Sequence, residues 1–528
     1  MMPPTNRWPW VIAGVALICL VMALAFSVSR FVNDGSQTVV PPTFPRTQSV
    51  ADVSVQVHGF CGTACHVYPR PESFPKKHWR HEVERGFRFF EVSGLPIKPP
   101  PLEDVVRYYE ERAPDELPTP EFAPPSHPLG VRFEQVSFPG PAVKEVYAIS
   151  NVNLVHLPRP GTPPYTGKGP QPLDILACDM KNGLVMLLRP YEANPEWKVL
   201  AHVSNPAHSE VVDLDGDGIL DILVANLGSF PPTDRWCGSV VWLRGQPDGS
   251  FKAFTLLENV GRVADVQAAD FRGSKKLDLI AGVFGWQTAG ELLFLENQTT
   301  DWDHPKFEPR VIDKRHGAIH VPVADLNSDG KPDFVCLFAQ EHEAVVAYIN
   351  EGDGKFRFQE LYRGPDPSYG SSGIQLVDLT GSGRLDVLYT NGDTLDDPFL
   401  FKPYHSVQWL ENKGNLKFEQ HPLTPMFGVH RAVAANVLGS GRKDIVAVSF
   451  LPNDKFPERK KRDAAAIVLL EQIAPGKFER HVIKSVDADH VTCAVGDIYG
   501  TGRQDIVVGN FSSQASKDPV TIWKNLGR

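Results

Sequence analysis

The chain has 528 residues, more than one ordinary domain of roughly 100–200 residues holds. Hydrophobic residues at 42% and charged residues at 22% exclude wholesale disorder, while 47 Pro and 43 Gly favour short elements joined by turns over a mostly helical chain. A formal charge of −10 without a sustained basic stripe excludes ordinary nucleic-acid binding, and seven Cys are too few for a disulfide scaffold.

Residues 1–30 read as a membrane anchor or a signal peptide. Trp8 to Val28 carry no charge, and about 18–20 apolar residues can span a bilayer. Ala23-Leu24-Ala25 offers a cleavage site, whereas the length of the run favours an uncleaved anchor. Both readings export the rest of the chain. Residues 31–53, with Gly35, Pro41, Pro42 and Pro45, read as a linker.

Cys61-Gly-Thr-Ala-Cys65-His66 follows. Two thiols can bond the porphyrin vinyl groups and the adjacent imidazole can take an axial site on iron. The usual spacing has two residues between the cysteines, and here there are three. A local Cys61–Cys65 disulfide, or a metal site with further ligands elsewhere, remains open at this point. Helices are expected downstream. Trp79, Val83, Phe87 and Phe90 recur at helical spacing. Pro99 to Arg112 opens with prolines and acids and carries Leu102, Val105, Val106 and Tyr109 on one face. The segment 54–113 resembles a minimal class I cytochrome c domain, which implies covalent haem c held by Cys61, Cys65 and His66. No Met occurs between Met22 and Met180, so the candidates for the distal ligand are His78 and His81, with His58 a third. Bis-His ligation or a five-coordinate iron would lower the potential relative to Met/His ligation. Residues 114–129 read as a Pro-rich linker.

From residue 130 onward an acidic loop followed by an apolar run recurs. Its last acid stands at 174, 221, 278, 333, 386, 444 and 505, at spacings of 47 to 61 residues. Such a period denotes stacked supersecondary units. Within each unit a second apolar run ends near Asn or Glu, and an aromatic-led strand follows a Gly turn. Four short strands per unit, A to D, make a β-propeller blade. Phe133, Trp197, Phe251, Phe307, Phe356, Phe418 and Phe478 mark seven outer strands, so the expected fold is mainly β, a seven-bladed propeller over 130–528. The strand at Phe133 precedes the first unit, and the last unit lacks its outer strand. Pairing the two would close the ring and leave no open edge.

These loops and turns resemble FG-GAP/VCBS-type repeats of the integrin-like propellers. With the haem motif, the chain is similar to exported bacterial proteins that join a cytochrome c-like segment to such a propeller. That resemblance implies a membrane-anchored protein of the bacterial cell envelope, with its bulk in the periplasm or outside the cell.

Two loops have the donors for structural calcium. Asp213, Asp215, Asp217 and Asp221 stand at positions 1, 3, 5 and 9, with the Ile219 carbonyl at position 7. Asp325, Asn327, Asp329 and Asp333, with the Lys331 carbonyl, repeat the pattern. Asx hydrogen bonds alone could also hold such turns. On the opposite face fall the B–C loops and His208, His320, His430 and His490, with His342 and His405 in the loops themselves. That face is the expected binding surface for a redox or protein partner or a carbohydrate. Three functions follow: electron transfer coupled to binding, a haem-coupled dehydrogenase or carbohydrate-active enzyme, or an adhesion scaffold without haem.

Overall fold

Seven antiparallel sheets, each contributed in turn by the chain, form a ring in the computed structural model. The structure describes residues 50–62, 66–159, 171–395, 397–511 and 517–528, with side chains from residue 53. The apolar segment at 8–28 and Cys65 lie outside these residues. Among the described residues no helix is long and apolar enough to cross a membrane.

Blades 1 to 6 begin with their inner strands at Ile149–Val155, Pro206–Val212, Val263–Ala269, Ala318–His320 (continued at Val323–Ala324), Ser371–Val377 and Val429–Ala435. Blade 7 begins at Cys493–Gly496 and takes its outer strand from Phe133–Ser137, which pairs antiparallel with Val520–Asn525. The ring therefore closes as the repeat arithmetic requires, with Phe133 opposite Asn525 and Ser137 opposite Thr521.

Strand B explains the continuous apolar runs. In blade 2 it spans Asp221–Asn226 and every residue is buried. Successive side chains point to opposite faces. Ile222 and Val224 accordingly pack into a cluster shared with blade 1, while Leu223 and Ala225 join one shared with blade 3. Seven such clusters fill the seven inter-blade gaps. Each fully buried aliphatic side chain there contributes about 1.5–3 kcal/mol.

The recurring acid has a structural task as well. Asp221 stands at the start of strand B, fully buried, and accepts the backbone N–H groups of Leu214 and Gly245 at 2.9 and 2.7 Å. It thus ties the A–B loop to the end of strand C. Asp333, Asp386, Asp444 and Asp505 repeat both bonds. The amide at the end of strand C reaches across the gap: Asn350, Gln472 and Asn525 donate to Phe271, Leu379 and Val437 of the preceding blade.

Among the described residues three α-helices precede the ring: α1 (Val50–Cys61), α2 (Trp79–Ser93) and α3 (Leu102–Glu110). Helix α2 ends at Gly94, whose φ of 67° a residue with a side chain rarely adopts. Helix α3 buries Val105, Val106, Tyr108 and Tyr109, close to the face expected from its periodicity. Helix α1 begins inside the expected linker. Val53, Val55 and Val57 alternate as in a strand, and only tertiary packing makes the segment helical: Val57 is fully buried while Val55 is 73% exposed.

The helices belong to the same compact unit as the propeller. They rest on the face formed by the starts of strands A and the B–C loops. Leu400 of blade 5 joins their core, and Arg85 donates to the Asp397 carbonyl at 3.0 Å. The Pro-rich connection is strapped to blade 6. Ser126 donates to Glu479, His127 lies 3.0 Å from Glu471, and Arg480 covers the Phe122 ring at 4.2 Å.

Candidate functional site

Strands A line the central channel, and their register sets which side chains share a level. His208 pairs with Ala225, Asp265 with Gly282, His320 with Leu337, Gly373 with Thr390 and Arg431 with Val448. Each lies immediately after a bulge, at the same place in its blade. One ring of the channel therefore carries His208, Asp265 and His320 on consecutive blades, with Arg431 two blades further on.

Asp265 links the two imidazoles. His208 Nδ1 stands 2.8 Å from its Oδ1 and His320 Nδ1 3.9 Å from its Oδ2, which also accepts the Val321 N–H at 2.8 Å. Burial pushes the Asp265 carboxyl up, but His208 and His320 outweigh it and hold the acid well below the usual range. Burial opposes charge on His208, and the adjacent Asp265 carboxylate reverses this, raising its pKa. For His320, burial and the Arg431 charge win over Asp265 and lower it. The arrangement biases His208 towards its charged form and His320 towards its neutral form.

His430 and His490 do not join this ring. His430 Nδ1 donates to the Val491 carbonyl and His490 Nδ1 to that of Gly509, each at 3.2 Å, and burial pulls both pKa values down to about 4. The reason is register. His208 and His320 stand 13 residues before the recurring acid (221 − 208, 333 − 320), whereas His430 stands 14 before (444 − 430) and His490 15 before (505 − 490). Asp265, which local patterning does not single out, is also 13 before its acid (278 − 265). Aligning the repeats on those acids would have found it.

His405 is likewise no surface ligand. It is 1% exposed, its Nδ1 accepts the Gly428 N–H at 3.3 Å, and burial pushes its pKa well down. His342 does lie in a B–C loop, at the end of a short 3-10 turn, Gln340–His342.

One level deeper in the channel, Glu210 accepts the Ala268 N–H of the next blade at 2.9 Å, and burial pushes its pKa up to about 8. An unfolded glutamate titrates near ~4.3. Between those values the folded chain holds a proton that the unfolded chain has lost. Stability from this site is therefore complete at pH 4 and falls as pH rises towards 8, by at most ~1.4 kcal/mol per unit. Glu210→Gln keeps an acceptor for Ala268 and should flatten this slope. Denaturant unfolding at pH 5, 6.5 and 8 measures it, and equal slopes in both proteins would refute the assignment.

On the opposite face, Asp213, Asp215 and Asp221 each place a carboxylate oxygen within 4.8 Å of the others. Asp213 accepts the N–H groups of Gly216 and Gly218, and Asp217 that of Ile219. The Arg244 guanidinium stands 2.7 Å from Asp215. In the second loop Asp325 accepts the N–H groups of Asp329 and Gly330, Asn327 accepts that of Asp329, and Asp329 accepts that of Lys331. Both loops thus have the Asx bonding that the sequence allows. Among the described residues only the first gathers three mutually close carboxylates.

In the helical segment Cys61 closes α1 against Tyr109, and burial pushes its thiol up to about 11. His66 Nδ1 lies 2.7 Å from the Val67 carbonyl. A carbonyl only accepts, so Nδ1 carries the proton and the lone pair is on Nε2. His58 stacks on Tyr68 at 3.9 Å and hydrogen bonds Tyr108. His78 and His81 lie at the start of α2, with His81 Nε2 3.6 Å from Asp397 of the propeller.

Two stretches, residues 213–281 and 317–389, match the family model of the FG-GAP-like repeat. The first runs from the A–B loop of blade 2 through strand B of blade 3, and the second from the start of blade 4 into blade 5. No curated protein matches the chain.

Proposed function

Starting from a seven-bladed propeller with FG-GAP-like repeats, we propose that this chain is an exported, membrane-anchored c-type haem protein whose propeller binds a partner or ligand. The observation that supports it is the seat of the helical segment: Arg70 and Ser73, a few residues beyond Cys61 and His66, bond Asp366, and Arg85 bonds the B–C loop of blade 5 at Asp397. The two described donors suit the group, and Cys65 lies outside the described residues. Cys61 ends a helix, and the Val67 carbonyl fixes the His66 tautomer that leaves Nε2 to coordinate. When bound, haem supplies a one-electron couple. The chain's own residues would hold the proximal imidazole in that tautomer, through the Val67 carbonyl.

The test is optical. Chain exported with haem-attachment machinery should show a Soret band and a haemochrome spectrum of thioether-linked haem. Cys61→Ala with Cys65→Ala should lose covalent haem, and His66→Ala should keep it but lose the low-spin spectrum. Colourless protein would leave a binding or adhesion propeller.

A second reading, carbohydrate binding by the same face, is favoured by exposed tryptophans. Trp236 is 64% and Trp286 39% exposed in the B–C loops of blades 2 and 3, which Asp234 ties together by accepting the N–H groups of Gln287 and Thr288. Aromatic rings presented this way can stack on sugar rings.

We also assign structural calcium to the acidic loops, and to the Asp213 loop first. Calcium there displaces Arg244 from Asp215. Asp213→Asn with Asp215→Asn should weaken calcium binding at least tenfold and abolish the calcium-dependent rise in Tm that calorimetry records. An unchanged titration would leave the loop held by Asx bonds alone.

A further inference from the structure

We propose that His316, Glu341 and His342 form a site for a divalent first-row transition metal, with zinc the best-matched ion. The site is separate from both the haem motif and the calcium loops. His316 lies in the connection from blade 3 to blade 4, and Glu341 and His342 in the B–C loop of blade 4. Each side chain offers one donor atom, and the three atoms lie within 4.8 Å of one another. His316 Nε2 is 2.9 Å from Glu341 Oε2, and the two imidazole rings stand 4.9 Å apart. Donors bound at about 2.1 Å to one tetrahedral ion are about 3.4 Å apart. An ion therefore needs only small side-chain adjustments to replace the His316–Glu341 hydrogen bond.

A further observation points to a ligand. His342 Nε2 is buried and takes no hydrogen bond from any described residue, and such a nitrogen is costly to keep without a partner. The backbone is also forced at both flanks: Gln340 has φ 57° and Glu343 φ 42°, a region that residues with side chains rarely occupy. Glu343 is fixed there because its carboxylate accepts the N–H groups of Gly370 and Ser371, each at 2.8 Å. The turn that carries Glu341 and His342 is thus braced from blade 5. Two imidazoles and a carboxylate suit zinc, copper or nickel better than calcium. With three protein ligands, a tetrahedral ion keeps one position for water or a bound ligand.

The experiment is a zinc titration of chelator-stripped full chain, followed by competition with a chromophoric chelator. One zinc per chain is expected at this site. His342→Ala should bind it at least a hundredfold more weakly and Glu341→Gln about tenfold more weakly. His127→Ala, in the separate cluster on blade 6, should leave it unchanged. Glu341 is partly exposed, so its variant keeps the test valid if His342→Ala folds poorly. Cobalt in place of zinc should give visible d–d bands that vanish in His316→Ala. Equal zinc affinity in wild type and in the His316→Ala/His342→Ala double variant overturns the proposal, as does the absence of zinc binding.

Discussion

A chain permuted to begin at residue 139 and to run from Arg528 straight into Val131–Phe138 should fold as a monomeric propeller. The same chain lacking 131–138 should aggregate. In the intact protein Phe133–Ser137 covers the outer edge of Val520–Asn525, where Val520 and Ile522 are 1% and 0% exposed. Without it, a full row of backbone donors and acceptors and an apolar face lie open, which is a template for intermolecular pairing. The permuted turn has the right length. Leu526, Gly527, Arg528, Val131 and Arg132 would separate Asn525 from Phe133, just as Lys413–Lys417 separate Asn412 from Phe418 in blade 5. The hydrogen bonds are already those of that turn. Leu526 N donates to Arg132 O at 2.9 Å as Lys413 N does to Lys417 O at 2.8 Å, and Arg132 N donates to Gly527 O as Lys417 N does to Gly414 O. Size-exclusion chromatography with thermal unfolding separates the outcomes. A truncated chain that stays monomeric at an unchanged Tm would mean that ring closure contributes little.

That closure was legible because it depends on repeats, and repeats are a property of the sequence alone. The buried acid at the start of strand B recurs in every blade, and in five of them it satisfies the same two backbone donors, so its spacing sets the number and order of the blades. Packing on both faces of strand B writes a continuous apolar run, which fixes where each inter-blade core lies. The channel site was only half legible. Its residues are far apart in sequence, and their proximity depends on register to the single residue. A place close to the start of strand A groups His208 and His320 with His430 and His490, although the last two sit one and two residues out of step. Asp265 carries no local pattern at all. Helix α1 was missed because Val53, Val55 and Val57 alternate with polar residues, and the packing of Val57 against α3 overrides that local signal. His316 was overlooked because it lies between blades, where the repeat leaves no landmark. Only the fold brings it to the loop of the following blade.

Asp366→Ala should release the helical segment from the propeller while the propeller itself stays folded. Asp366 lies in the connection from blade 4 to blade 5 and is 3% exposed. Its Oδ2 accepts the Arg70 N–H at 2.7 Å and the Ser73 hydroxyl, and its Oδ1 accepts the Ser368 N–H at 2.9 Å. Ser73 is itself 4% exposed. Alanine would leave the buried Ser73 hydroxyl without an acceptor, at roughly 1–3 kcal/mol, and would remove the half-buried bonds from Arg70 and Ser368 as well. Other contacts, among them Leu400 in the helical core, Lys402 over the Phe74 ring, the Tyr404 hydroxyl on the Ser73 carbonyl and Arg85 on the Asp397 carbonyl, offset only part of that loss. A net change of about 3 kcal/mol raises the undocked population roughly a hundredfold. Proteolysis within residues 66–113 should accelerate accordingly, and hydrogen exchange should rise in α2 and α3 but not in strands B of the blades. Asp366→Asn retains one acceptor oxygen and should fall between. Unchanged proteolysis would show that apolar packing alone holds the segment. A faster rate would instead make this one carboxylate the latch that holds the segment carrying Cys61 and His66 against the propeller.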